Sequence, residues 1–248
     1  MQDYYSRDAV SSSSLKDFIY GGKSIINDEK LSGPALYHRR YILGTEPKIS
    51  ATEAMVTGTV VHSCILEPDK FSNDYSRDKS SKKNYMSAAD YTMAMTLKFK
   101  LMSTLSARYF NEGVAEKEFD WEYFTCNGFL SCKSKIDYWI NPCDEFPNGC
   151  IVDLKTTSSL SKVQHAINVY HYMVSAAFYS MCVMQELNLV NVPSFVFVFA
   201  SKCSKDIKSD SCIKDIVIEY EQLLNEISNI EAKLENLKYR INNNDWSE

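Results

Sequence analysis

The segment Cys150-Ile151-Val152-Asp153-Leu154-Lys155 restricts the fold of this chain more than any other stretch. Its apolar lead-in reads as a strand buried in a sheet, and such a strand tolerates two charges only at its end or in a cleft. Strand side chains alternate with period two, so Asp153 and Lys155 share one side and Leu154 takes the other. Upstream, Asp137 closes the run Cys132-Lys133-Ser134-Lys135-Ile136.

Two carboxylates can hold a divalent cation against a phosphate. Such a cation neutralises charge on the scissile group and lowers the pKa of a bound water; hard cations take oxygen ligands, which Asp137 and Asp153 supply. A lysine beside them is a compact point charge that can orient water and stabilise developing negative charge, which makes Lys155 the candidate. On an exposed edge strand the same Asp-x-Lys would be only a solvated pair, worth about a few tenths of a kcal/mol. The apolar residues on both sides of Asp153 favour the buried arrangement.

A helix is expected over 51–66, stopping before Pro68. Gly58 and His62 fall four apart on one helical face. The glycine permits close backbone approach, and a neutral imidazole can ligate metal. A lone histidine on an apolar helix is more often a satisfied core residue, and both readings stand.

Taken in order, Gly58-x-x-x-His62, Glu116, Asp137 and Asp153-x-Lys155 resemble the PD-(D/E)xK nuclease superfamily in its RecB-like branch. More closely, the chain is similar to the phage and prophage exonucleases of the RecE (exodeoxyribonuclease VIII) type. Ser11 to Lys16, Ser32 to Tyr37, Gly58 to Phe71, Ala115 to Trp121, Cys132 to Tyr138, Tyr170 to Tyr172 and Ala176 to Tyr179 carry the likeness, which spans residues 4 to 220. Single motifs are weak, but their order and spacing together are specific.

The resemblance implies that His62, Asp137 and Asp153 bind metal, that the Leu154 carbonyl completes the shell, and that Lys155 assists the water. Glu116 and Tyr179 would support the site or touch DNA, and Mg2+ would be the cofactor, with Mn2+ as a substitute. One departure is Ser175, where the RecB-like pattern has Gln four residues before the helix tyrosine; a hydroxyl cannot make the same amide contacts. The basic residue near Asp137 is Lys133 or Lys135 rather than arginine, which weakens a bidentate phosphate grip. Ser175, Tyr179, Lys133 and Lys135 are the DNA-contact candidates.

At 248 residues the chain can bury the core of one domain, with a mainly helical part over 1–110, a catalytic core over 111–219 and a C-terminal helix over 220–242. No apolar run reaches membrane-spanning length and no signal peptide opens the sequence, so a cytoplasmic protein is expected, in the host cytoplasm if phage-encoded. The net charge of −5 argues mildly against indiscriminate DNA binding. Lys79, Lys82, Lys83, Lys98, Lys100 and Arg108 form a basic stretch that is as well read as a solvated face, and Lys202, Lys205 and Lys208 form a second cluster. The eight cysteines include no C-x-x-C pair, which argues against an iron–sulfur or zinc site; reduced thiols are expected.

Periodicity predicts helices over 12–19, 32–42 and 51–66, a longer, mainly helical stretch over 84–110, and a helix over 160–187. Strands are expected over 114–124 and 128–140 about the Asn127-Gly128 turn signal, over 149–155, at 195–199 and near 213–219. That order gives an α/β fold, a mixed central sheet flanked by helices as in a restriction-endonuclease-like core. In the last helix Tyr220, Leu223, Ile227, Ile230, Leu234, Leu237 and Ile241 form a heptad stripe, suited to docking on its own domain or to self-association.

The expected function is an Mg2+-dependent deoxyribonuclease, a 5′–3′ exonuclease on double-stranded DNA ends for phage-type recombination. It would act as a homo-oligomer, with a single-strand annealing protein as partner and no membrane. The alternatives are a catalytically weak DNA-binding or virion-assembly module on the same fold, and an endonuclease with the same site.

Overall fold

A five-stranded mixed sheet runs through the centre of the computed structural model, which describes residues 4–81, 83–209 and 211–247. Lys82 of the expected basic stretch lies outside the described residues. The strands are β1 (Val114–Thr125), β2 (Gly128–Ile140), β3 (Cys150–Thr157), β4 (Ser194–Ser201) and β5 (Ile213–Val217), side by side in chain order. β3 and β4 run parallel; the other neighbouring pairs are antiparallel. β1 and β2 meet in a tight hairpin with Thr125 opposite Gly128. Asn127 keeps a negative φ there, and Gly128 alone takes a positive one, 108°.

The apolar runs of β3 and β4 follow from burial on both faces. On one face lie α2 (Glu53–Leu66) and α3 (Ala88–Met102). Their Val60, Val61, Cys64, Leu97 and Leu101 join Val152, Leu154, Val196 and Val198 in one core. Gly58 lets α2 close on the sheet, since a Cβ there would stand 3.0 Å from Thr156 Oγ1. The other face carries α4 (Val163–Val169), α5 (Tyr172–Glu186) and α6 (Tyr220–Asn243). Ile167, Ala176, Val183 and Leu223 pack there with Ile151, Phe195, Phe197 and Phe199.

An N-terminal helix, α1 (Ser12–Tyr20), packs along α5. The serine run caps it: Ser11 Oγ accepts from Ser14 N–H while Ser14 Oγ accepts from Ser11 N–H. The single helix expected over 160–187 is instead α4 and α5, because His171 adopts a left-handed conformation (φ 50°) between them. Its ring stacks on Tyr20 with centroids 3.4 Å apart, pinning the break against α1. The stretch 84–110 is also interrupted: Asn84–Tyr85 pairs with Tyr75–Ser76, and Leu105–Phe110 is a 3-10 helix after α3.

The α6 stripe docks on its own chain. Ile230, Leu234 and Leu237 are buried in one cluster with Trp121 and Leu130 of the hairpin and Phe178 of α5. All eight cysteines are free thiols, five of them buried. Among the described residues no helix is long and apolar enough to cross a membrane.

Candidate functional site

β2 and β3 part where the charges lie. Their ladder pairs Ile140 with Cys150, Trp139 with Ile151 and Tyr138 with Val152. At the next step Asp137 Oδ2 accepts the Leu154 N–H at 2.9 Å. Side-chain alternation breaks at the same point. Ile136 and Trp139 share one core cluster with α5, whereas Tyr138 and Ile140 pack under α2 and α3; strict period two would put Ile136 with Tyr138. On β1 the register sets Glu116 opposite Asp137, between the pairs Ala115–Tyr138 and Lys117–Ile136. Glu116 takes φ 52°, a conformation that costs a non-glycine residue on the order of 1–3 kcal/mol and persists only where its surroundings hold it.

This break brings together groups from three elements. Donor atoms of His62 on α2, Glu116 on β1 and Asp137 on β2 lie within 4.8 Å of one another. His62 Nδ1 stands 3.7 Å from Asp137 Oδ2. Asp153 is 2% exposed. Its Oδ1 accepts from Lys155 Nζ, as the shared strand face requires, and its buried Oδ2 has no hydrogen-bond partner among the described residues. In an extended strand the N–H and C=O of one residue leave the same edge, so the Leu154 carbonyl faces the gap that its N–H spans.

Charge is divided unevenly over the site. Burial, then the charge of Asp153, holds Asp137 well above the usual carboxylate range. Burial acts on Asp153 in the same sense, but the charge of Lys155 and the adjoining Asp137 carboxyl outweigh it and lower its pKa. Burial disfavours the Lys155 ammonium, yet Asp153 and Asp137 overcome this and raise it. Burial, then Lys155, brings His62 down to about 4. At neutral pH the site thus offers a neutral imidazole, an ionised Asp153 and an ammonium, beside an Asp137 carboxyl whose pKa burial and Asp153 raise. A neutral nitrogen among carboxylate oxygens is a donor set that fits a divalent cation.

The remaining candidates are spread around this cluster. Lys135 Nζ pairs with Glu116 at 2.6 Å and steadies the strained residue. Lys133 is buried and donates to the carbonyls of Tyr4 at 3.0 Å and Arg7 at 2.6 Å, so its ammonium ties down the N-terminal segment and is not brought to the cluster. Tyr179 sits near the site, its hydroxyl accepting from Ser12 at 3.2 Å; burial, then Asp153, raises its pKa. Ser175 is buried on α5 between Tyr172 and Tyr179. Of the basic residues, Lys83 donates to Ser72 O, Arg108 pairs with Glu145, and Lys202 donates to Ala54 O. Sequence reasoning gave no site role to Lys16 and Tyr172. Both fall in segments that carry the family likeness, and Ser12, Lys16 and Tyr20 lie on one face of α1.

The sequence matches, over residues 11–248, the family described as a PDDEXK-like domain of unknown function (DUF3799). The chain belongs to this family. No curated protein matches it. Among solved structures, a protein of Eubacterium rectale described as a "Putative exonuclease" superposes with a TM-score of 0.68 at 19% identity, covering 98% of this chain and 88% of that one. A phage related exonuclease from Haemophilus somnus 129PT covers 95% of this chain and 96% of its own, at 11% identity and a TM-score of 0.40. The first likeness establishes a shared fold, and the mixed five-stranded sheet flanked by helices is that of a PDDEXK nuclease-like protein.

Proposed function

We propose that this PDDEXK-like chain is an Mg2+-dependent deoxyribonuclease that resects double-stranded DNA ends 5′ to 3′, leaving a single strand for an annealing partner in phage-type recombination. The carrying observation is the Asp153 carboxylate, buried, with one oxygen on Lys155 and the other unpartnered. A buried carboxylate oxygen without a partner is a cost to a fold kept for stability alone, and a usable donor in a ligand site. His62, Glu116, Asp137, Asp153 and the Leu154 carbonyl would hold the cation, with Mn2+ able to replace Mg2+ because it accepts imidazole nitrogen more readily. When bound, a divalent cation supplies Lewis-acid stabilisation of the phosphate and of the attacking water.

The chain's own groups supply the rest. Asp153 and Asp137 favour the charged form of Lys155, which suits it to orient water and meet negative charge developing on the phosphate. Asp153 fixes that ammonium by accepting from it. Glu116 and Lys135 brace the strand step that aims Asp137. The fold shared with the Eubacterium rectale protein described as a "Putative exonuclease" supports a nucleic-acid substrate.

Linear and covalently closed circular duplex DNA, incubated with Mg2+ and with EDTA, test the reading. Linear DNA should shorten from its 5′ ends only with Mg2+, and circles should survive. Equal attack on circles would replace the exonuclease with an endonuclease. Binding without cleavage would leave a DNA-binding module on the same fold.

A further inference from the structure

α1 lies along α5 where Tyr172 meets Lys155. Ser12 Oγ donates to the Tyr179 hydroxyl at 3.2 Å, Lys16 Nζ lies 5.4 Å from the centre of the Tyr172 ring, and Tyr20 stacks on His171. These contacts step by four along α1, so a single helical face runs down α5 toward its N-terminus. Lys155 Nζ approaches the same Tyr172 ring, also at 5.4 Å. The two ammoniums are therefore no further apart than the sum of those distances. They also feel each other: burial, then Lys155, draws Lys16 down to about 8, with Asp153 opposing.

Lys155 has a carboxylate and Lys16 has none. Asp153 Oδ1 is taken by Lys155, and Asp17, next to Lys16 in sequence, is taken by Arg40 at 2.8 Å and Tyr41 at 2.7 Å. Among the described residues no hydrogen bond or ion pair reaches Lys16 Nζ, which leaves it the Tyr172 face. A desolvated ammonium beside a second one is poorly served by a ring alone. An anion would give the Lys16 ammonium the partner it lacks.

We propose that Lys16 is a phosphate-binding residue of this site, gripping the DNA backbone from the α1 side while Lys155 acts at the scissile group. The inference rests on the nuclease reading above. It gives α1 a substrate-binding role that the carboxylates cannot fill, since they repel phosphate.

Lys16→Met keeps the apolar stem against Tyr172 and removes the charge. Steady-state cleavage of linear duplex with Mg2+ should show KM raised by on the order of tenfold, with kcat changed far less. Equilibrium binding of a fluorescent duplex in EDTA, followed across a KCl series, should lose about 0.9 from the slope of log affinity against log salt, the mark of one phosphate contact. Lys16→Arg should restore both. If Lys16→Met does not fold, Lys16→Gln carries the same comparison. A charge-free variant with wild-type KM and salt slope would overturn the inference while leaving the nuclease reading intact, and a fall in kcat alone would do the same. Wild-type protein that neither binds nor cleaves duplex would sink the nuclease reading and this inference with it.

Discussion

Asp137 Oδ2 accepts the backbone N–H of Leu154 at 2.9 Å, a side chain standing where the β2–β3 ladder would otherwise have placed a carbonyl. The bond lets the two strands separate without orphaning the Leu154 N–H. It also fixes one metal-ligand candidate by the backbone of the strand that carries Asp153 and Leu154. Asp137→Asn keeps a carbonyl oxygen for that N–H and removes the buried acid that Asp153 disfavours. It should fold with stability equal to or above wild type, and cleavage with Mg2+ should fall below detection. Thermal melts beside a linear-duplex assay check both, and an active Asn variant would remove Asp137 from the site.

Lys155→Met leaves Asp153 buried with both oxygens unpaired, which should cost about 3–5 kcal/mol. Turnover should drop on the order of 10²- to 10³-fold as the ammonium is lost from the reacting charge. The double variant Asp153→Asn/Lys155→Met should regain part of that stability and none of the activity. A urea-unfolding double-mutant cycle measures the coupling, and additive effects would contradict the buried pair.

Glu116 occupies φ 52° with a side chain it must carry. Glycine tolerates that conformation and alanine does not, so Glu116→Gly should be about 1 kcal/mol more stable than Glu116→Ala. Both lose the ion pair to Lys135, so the comparison isolates the backbone. Both should also lose activity. Equal stabilities in urea would mean that the strand relaxes freely at this step.

Much of this arrangement is legible in one dimension because it is local. The apolar approach to Asp153 and the two-residue step to Lys155 set their strand and their shared face, and Asn127-Gly128 marks the hairpin before Asp137. What fails is non-local. Lys133 looks like a DNA-facing base two residues from Lys135, yet its ammonium is taken by the carbonyls of Tyr4 and Arg7, more than a hundred positions away. The break at His171 depends on a ring stacked from Tyr20, and the Lys16 position depends on how α1 lies over α5; neither leaves a periodic trace. The positive φ of Glu116 falls opposite Asp137, where the β2–β3 ladder ends, and glutamate has no propensity that would announce it.

His62 gives a pH test in EDTA. In the unfolded chain an imidazole titrates at about 6.5, and in the fold burial and Lys155 bring it to about 4. Between these values the unfolded chain binds the proton and the folded one does not. Stability contributed at neutral pH is therefore lost as pH falls from about 6.5 toward 4, by no more than about 1.4 kcal/mol per pH unit. His62→Gln removes this component, so the wild-type minus variant difference in unfolding free energy should decline with falling pH and level off above neutrality. A flat difference would show an imidazole that titrates alike in both states.

The heptad stripe of α6 gives two opposed expectations for Leu234→Ala. A self-association seam would lose subunits on truncation, and its melting temperature would depend on protein concentration. Leu234 instead has no exposed surface and packs in a cluster with Trp121, Leu130 and Phe178 of the same chain. Truncation there should cost about 2–5 kcal/mol, lowering Tm by roughly 5–15 °C in a chain of this size. The mass measured by sedimentation should not change, whatever assembly the wild type forms, because α6 already spends its apolar face internally. A reduced mass with Tm unaltered at high concentration would mean that the helix leaves its own chain to pair with another.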